Sequence, residues 1–90
     1  MKISYAITVC NEHKEIDKLL TLLFWRKRRE DQIVVQMDKD NVTDEVIRVC
    51  ERFESHPAAE YKLLQCSLNK NFAAYKNNLN QACDGNWIFQ

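Results

Sequence analysis

The sequence predicts an α/β fold, a parallel sheet with helices packed on it, in a single domain of 90 residues. Three observations carry that expectation. β-rich runs alternate along the chain with segments whose apolar residues recur at helical spacing. Glycine and proline occur once each, too few turn residues for an all-β fold built on tight hairpins. Apolar residues make up 46% and charged residues 29%, an ordinary globular balance. That suffices for one core in a chain that buries roughly 60–70% of its unfolded surface.

Each element has its own signal. Ile3 to Val9 (I-S-Y-A-I-T-V) is rich in β-formers and has strand length. Cys10-Asn11-Glu12 follows as a turn. Ile16, Leu19, Leu20, Leu23 and Phe24 then form one helical stripe. Asn11 offers a cap, Glu12, Glu15 and Asp17 suit the positive end, and Arg26 to Arg29 lie just past the other end. Ile33 to Met37 is the second strand and runs into Asp38, with a polar loop from Asp38 to Thr43. Thr43 caps a second helix with Asp44 and Glu45 in its first turn and Val46, Ile47, Cys50 and Phe53 as its stripe. This helix must end before Pro57. Tyr61 to Cys66 is the third strand and Asn69-Lys70-Asn71 a loop. Asn71 caps a third helix, whose stripe is Phe72, Tyr75, Leu79, Ala82 and Cys83, and Gly85 sits where a C′ glycine belongs. Trp87-Ile88-Phe89 opens a fourth strand. The order is β-α-β-α-β-α-β, with right-handed crossovers and no internal repeat or linker. Because Gln90 closes the chain shortly into an apolar strand, the expectation is the N-terminal portion of a longer protein.

Several function classes are excluded. Thirteen basic residues balance thirteen acidic ones, against the basic excess of a general nucleic-acid binder. No apolar run approaches the ~20 residues of a membrane span, and no signal peptide is written at the N-terminus. A single glycine rules out both the dinucleotide fingerprint and the P-loop. Cys10, Cys50, Cys66 and Cys83 make no C-x-x-C pair, and three of them sit in apolar-patterned segments, which points to reduced structural thiols of a cytoplasmic protein. His13 and His56 are isolated and read as surface residues.

In a parallel α/β sheet, ligands bind beyond the carboxyl ends of the strands. Those ends are Thr8 to Glu12, Asp38 to Thr43 and Ser67 to Phe72. Helix N-termini converge there and favour anions, which indicates a nucleotide or phosphate site.

The same segments resemble a family. T-V-C-N-E at Thr8 to Glu12 is similar to the (P/T)-x-x-N-E signature that closes the first strand of family 2 glycosyltransferases of GT-A fold. Ile33 to Val46 resembles the family's V-V-D-D-G-S-T-D-x-T, with one extra residue. Asn69 to Gln90 resembles N-x-G-x-a-x-A-R-N-x-G-x-x-x-A-x-G-D-y-i-x-x. The resemblance covers most of the chain and is greatest to bacterial sugar transferases of surface-polysaccharide or lipopolysaccharide assembly. The departures are specific. Asp38-Lys39-Asp40 replaces the Asp-Asp pair, the glycines of N-x-G and R-N-x-G are missing, and Lys76 stands in place of arginine, a cation without the planar fork.

The resemblance implies a truncated, Rossmann-like three-layer fold with the sheet in order 3-2-1-4. It implies transfer of a sugar from a nucleotide-diphosphate sugar to an acceptor hydroxyl, on a sugar or a lipid-linked acceptor. A divalent metal, Mg or Mn, would stabilise the leaving group in the full-length enzyme. Thr8, Cys10 and Asn11 would line base and ribose, Glu12 completes the signature, and Asp38, with Asp40 as the other candidate, would accept a hydrogen bond from the base. Phe72 and Lys76 would face the nucleotide. The family's metal-binding D-x-D and catalytic base follow these segments, so the 90 residues are expected to bind nucleotide, to hold no metal and to lack transferase activity. No nucleic-acid partner is expected, and the open fourth strand predicts a homodimer. The location is cytoplasmic, or the inner face of the membrane.

Plainer readings stand beside these. Asp38, Asp40 and Asp44 also suit a polar loop and a helix start, and Lys76 a solvated helix. Trp25-Arg26-Lys27-Arg28-Arg29 reads most simply as a helix end and exposed loop, with contact to anionic lipid heads as the alternative. The rival functions are a receiver-like signalling domain, disfavoured because Thr8-Val9-Cys10-Asn11 supplies no acid, and a non-catalytic interaction module.

Overall fold

Ile3–Val9 forms β1, His13–Arg26 α1, Gln32–Asp38 β2, Asp44–Arg52 α2, Glu60–Cys66 β3, Phe72–Ala82 α3 and Trp87–Phe89 β4. A 3-10 turn, Phe53–Ser55, extends α2. This computed structural model describes residues 1–56, 60–69 and 71–90, so Pro57 itself and Lys70 of the third loop lie outside the described residues, while the second helix and its 3-10 turn end by Ser55, ahead of Pro57 as expected. All strands are parallel, in the order β3-β2-β1-β4.

Alternation along the strands sends odd-numbered side chains of β1 and β2 to one face and even-numbered ones to the other. On the first face, Val9, Ile33, Val35 and Met37 pack with Ile16 and Leu20 of α1 and with Val46 and Cys50 of α2. On the second face, Ala6 and Val34 pack with Leu79 of α3. The fold therefore has three layers, with α1 and α2 on one side and α3 on the other. All seven residues of β2 are buried, as expected of a central parallel strand covered on both faces. Two of them are glutamines held by specific bonds. Gln36 Nε2 donates to Tyr75 O at 2.9 Å, and Gln36 Oε1 accepts from Asn78 Nδ2 at 2.6 Å. Gln32 Oε1 accepts from Ser4 Oγ at 2.6 Å and from the Asp84 amide at 3.1 Å.

Several expectations need correction. Asn11 does not cap α1. The N-cap is Glu12, whose side chain makes no cap bond and instead turns back to accept from the amides of Cys10 and Asn11. Arg26 belongs to α1 rather than following it. Asp38 ends β2 rather than opening the loop. Thr43 and Asn71 do cap their helices, accepting from the Val46 and Ala74 amides. Leu19 and Phe72, placed on the apolar stripes by spacing, are exposed. Phe72 is the first residue of α3, and Leu19 lines an open hollow with Ile7 and Thr8 of β1. All four cysteines are free, but only Cys50 is buried, and burial pushes its thiol up to about 11. His56 is exposed, as expected, with its ring tilted 58° against Phe24 at a centroid distance of 4.8 Å.

Gly85 is not a C′ glycine. Helix α3 ends at Ala82 with Cys83 as an extended C-cap, and Gly85 has no positive φ. A close approach fixes it instead. Its amide donates to Ser4 Oγ at 2.8 Å, and an added Cβ would lie 2.7 Å from both the Ser4 amide nitrogen and Ser4 Oγ. Gly85→Ala is therefore expected to lift the Cys83–Asn86 loop from β1 at a cost of about 1–2 kcal/mol. Urea denaturation with hydrogen exchange at Asp84 and Gly85 checks it, and unchanged protection would contradict it.

Candidate functional site

The carboxyl ends of β1 and β2, roofed by the start of α3, form a depression of about 170 Å³ lined by Thr8, Val9, Cys10, Glu12, Asp38, Leu68, Phe72 and Tyr75. Alone it is smaller than the roughly 300–1,000 Å³ of a typical small-molecule pocket. A second hollow of about 390 Å³ shares Thr8 with it and is lined also by Lys76 and Gln90.

Asp38 is 8% exposed. Its position follows from the strand: β2 carries it to the edge of the core, and the loop then folds back over it. Asp38 Oδ1 accepts from the Asp40 amide at 3.3 Å and Oδ2 from Asn41 Nδ2 at 2.9 Å, while its carbonyl accepts from the amides of Asn41 and Val42. Each carboxylate oxygen has two acceptor sites, so capacity for a ligand donor is left over.

Glu12 sits at the entrance to α1. Burial works against its ionised form, but hydrogen bonds from the amides of Cys10, Asn11 and its own residue prevail and hold the carboxyl below its usual range. The helix N-terminus is thereby already occupied by an anion of the chain itself. The Cys10 thiol is pushed up by burial and by the charges of Asp38 and Glu12, so the protonated form prevails. Its Sγ donates to Asn41 O at 3.5 Å, tying the two loops together. Burial also raises the Tyr75 hydroxyl, which donates to Gln36 O at 3.4 Å.

Of the residues expected from sequence, Thr8, Cys10, Glu12, Asp38 and Phe72 come together here. Asn11, Asp40 and Lys76 do not line the depression. Asn11 is exposed and contributes its amide to Glu12. Asp40 is exposed and bonded to the Ser67 hydroxyl. Lys76 Nζ lies 5.6 Å above the Phe72 ring and 3.0 Å from Gln90 Oε1. Leu68, Tyr75 and Asn41 were not singled out as site residues. Helical spacing places Tyr75 in the core, because spacing shows only that a residue faces inward. It reaches the site because the start of α3 lies over the end of β2.

Among the described residues, no three of His, Cys, Asp or Glu converge so as to hold a metal ion, so the divalent ion implied by the resemblance finds no ligand set in them. Among the described residues, no helix is long and apolar enough to cross a membrane. No family model matches the chain, and no curated protein or solved structure matches it.

Proposed function

We propose that this chain is the nucleotide-binding part of a family 2 glycosyltransferase of GT-A fold, which transfers a sugar from a nucleotide-diphosphate sugar to an acceptor hydroxyl in bacterial surface-polysaccharide or lipopolysaccharide assembly. The observation that carries the reading is Asp38, a nearly buried carboxylate at the end of the central strand, opening onto a depression walled by Thr8, Cys10 and Phe72. A carboxylate there suits the N–H of uracil or the N–H edge of guanine. Phe72, 62% exposed, offers a ring face on which a base can stack. Asp38 and Glu12 make the depression acidic, so it favours a donor-bearing base over a phosphate. The diphosphate would run toward Lys76 in the adjoining hollow. The wider enzyme is cytoplasmic in this reading and takes its metal and its acceptor from groups other than those described.

Titration with UDP and with GDP, followed by amide chemical shifts, tests the reading. Shifts confined to Thr8–Glu12, Asp38–Asn41 and Phe72–Lys76 are expected. No response to either nucleotide would overturn it in favour of the interaction module.

The same reading includes self-association. β4 pairs with β1 only at Ile3, Ser4 and Tyr5, and Trp87, Ile88 and Phe89 are 63%, 43% and 67% exposed on that open edge. Zero net charge offers no long-range repulsion between copies. Light scattering across a concentration series is expected to show a mass rising above 10.7 kDa, and a constant monomer mass would contradict it.

A further inference from the structure

We infer that the outer face of α1 is a peripheral docking surface for an anionic lipid bilayer. In a chain of zero net charge, residues 18–29 carry five cations and no acid. The fold divides those cations into two sets. Arg28 is used internally: its Nε donates to Asp31 Oδ2 at 3.1 Å, and its Nη2 donates to Met1 O. Lys27 Nζ donates to the carbonyls of Arg28 and Asp31. Lys18, Arg26 and Arg29 are exposed and have no carboxylate partner among the described residues.

Lys18 and Arg26 flank apolar side chains on the outer face of the helix, and Arg29 follows in the loop just past its end. Ile16, Leu20 and Leu23 face the core, so Lys18, Leu22 and Trp25, at i, i+4 and i+7, share the opposite face. Leu22 is 50% and Trp25 84% exposed. With Asp17, Thr21 and Arg26 they line a shallow, largely apolar depression. The one acid in that lining, Asp17, is paired with Arg52 at 2.9 Å.

This combination fits a bilayer surface. Tryptophan settles at the headgroup level, leucine enters the acyl boundary, and long basic side chains reach out to lipid phosphates. A nucleic-acid backbone would use the cations but leave Leu22 and Trp25 in water. Because α1 begins at the carboxyl end of β1 and runs back along the sheet, this face lies toward the end of the strands away from the Asp38 depression. Docking would leave that depression open. The inference does not depend on the nucleotide reading.

Flotation of the full chain with phosphatidylcholine–phosphatidylglycerol vesicles, against phosphatidylcholine alone, tests it. Binding to the anionic vesicles only is expected, falling with added salt. Arg26→Gln with Arg29→Gln should weaken it on the order of tenfold or more, and Trp25→Ala by several-fold. In a Trp87→Phe background, Trp25 emission should shift to the blue on binding. All these positions are exposed, and circular dichroism confirms that each variant is folded. Three results would overturn the inference: no binding to anionic vesicles, equal binding to neutral ones, or binding indifferent to Trp25 and to the arginines. Tighter binding to single-stranded RNA than to vesicles would overturn it in favour of a nucleic-acid surface.

Discussion

Replacing Asp31 with alanine is expected to lower the free energy of unfolding by about 3 kcal/mol, a large share of the roughly 5–13 kcal/mol typical of a chain this size. Asp31 is 1% exposed and ties its own loop to the start of β1. Its Oδ1 accepts from the Ile3 amide at 2.9 Å and from Arg28 Nη2 at 3.1 Å, and its Oδ2 accepts from Arg28 Nε at 3.1 Å and from the Arg28 amide at 3.3 Å. Alanine would leave the Ile3 amide without its acceptor at the start of β1 and free the guanidinium that reaches back to Met1. Asp31→Asn, which keeps one acceptor oxygen, should cost less.

The same carboxylate predicts a pH dependence. The Arg28 guanidinium holds Asp31 below its ordinary value, against the opposing effect of burial and with help from the Ile3 amide. A folded-state pKa below the unfolded one gives stability that is fully present above the unfolded value, about 3.9, and is lost as pH falls through the folded value. Urea melts repeated from pH 7 downward should therefore show the wild type losing stability below about pH 4, with a flatter slope for Asp31→Ala. Glu12 and Asp84 are held low as well, so the variant keeps part of the slope. Parallel curves for the two proteins would show that Asp31 contributes nothing.

Asp38→Ala is expected to weaken UDP or GDP binding roughly ten- to a hundredfold, the loss of one charge-assisted hydrogen bond worth about 1.5–3 kcal/mol. Because Asp38 also holds the Asp40 amide and Asn41, alanine loosens the loop as well as removing the acceptor. Asp38→Asn separates the two effects. It keeps an oxygen for the loop but loses the charge, so affinity should fall while the Asp40 and Asn41 amide shifts stay near wild type. Equal affinity in wild type and both variants would remove Asp38 from the site.

Much of the candidate site was legible because strand ends are written plainly. The segments Thr8 to Glu12 and Asp38 to Thr43 follow from where apolar runs stop, and topology carries such ends to one edge of the sheet, whereas singling out Thr8, Cys10, Glu12 and Asp38 within them rests on the resemblance. Asp40 and Lys76 are implied by the resemblance as well, but their side chains point to Ser67 and Gln90. The direction of a loop or helix-margin side chain depends on partners distant in sequence, which spacing does not encode.

By itself the sequence determined the seven elements, their α/β class and the inward-facing residues of α2, because periodicity and the Thr43 and Asn71 caps are local. Only the tertiary structure decided the rest. Gln32 falls outside the strand bounds the sequence suggests and Gln36 is polar, yet both are buried because α3 and its following loop bring Asn78, the Tyr75 carbonyl and the Asp84 amide against them. Gly85 looks like a helix stop, yet it is confined by Ser4 of the first strand. The run Arg26 to Arg29 looks uniform, yet Asp31 and neighbouring carbonyls engage Lys27 and Arg28 and leave Arg26 and Arg29 outside. For the glutamines and Gly85 the defining partner lies far along the chain, and for Arg28 one partner, the Met1 carbonyl, does. Hydrogen bonds and steric fit between such partners act only once the layers have met, whereas apolar periodicity acts along every few residues of the chain.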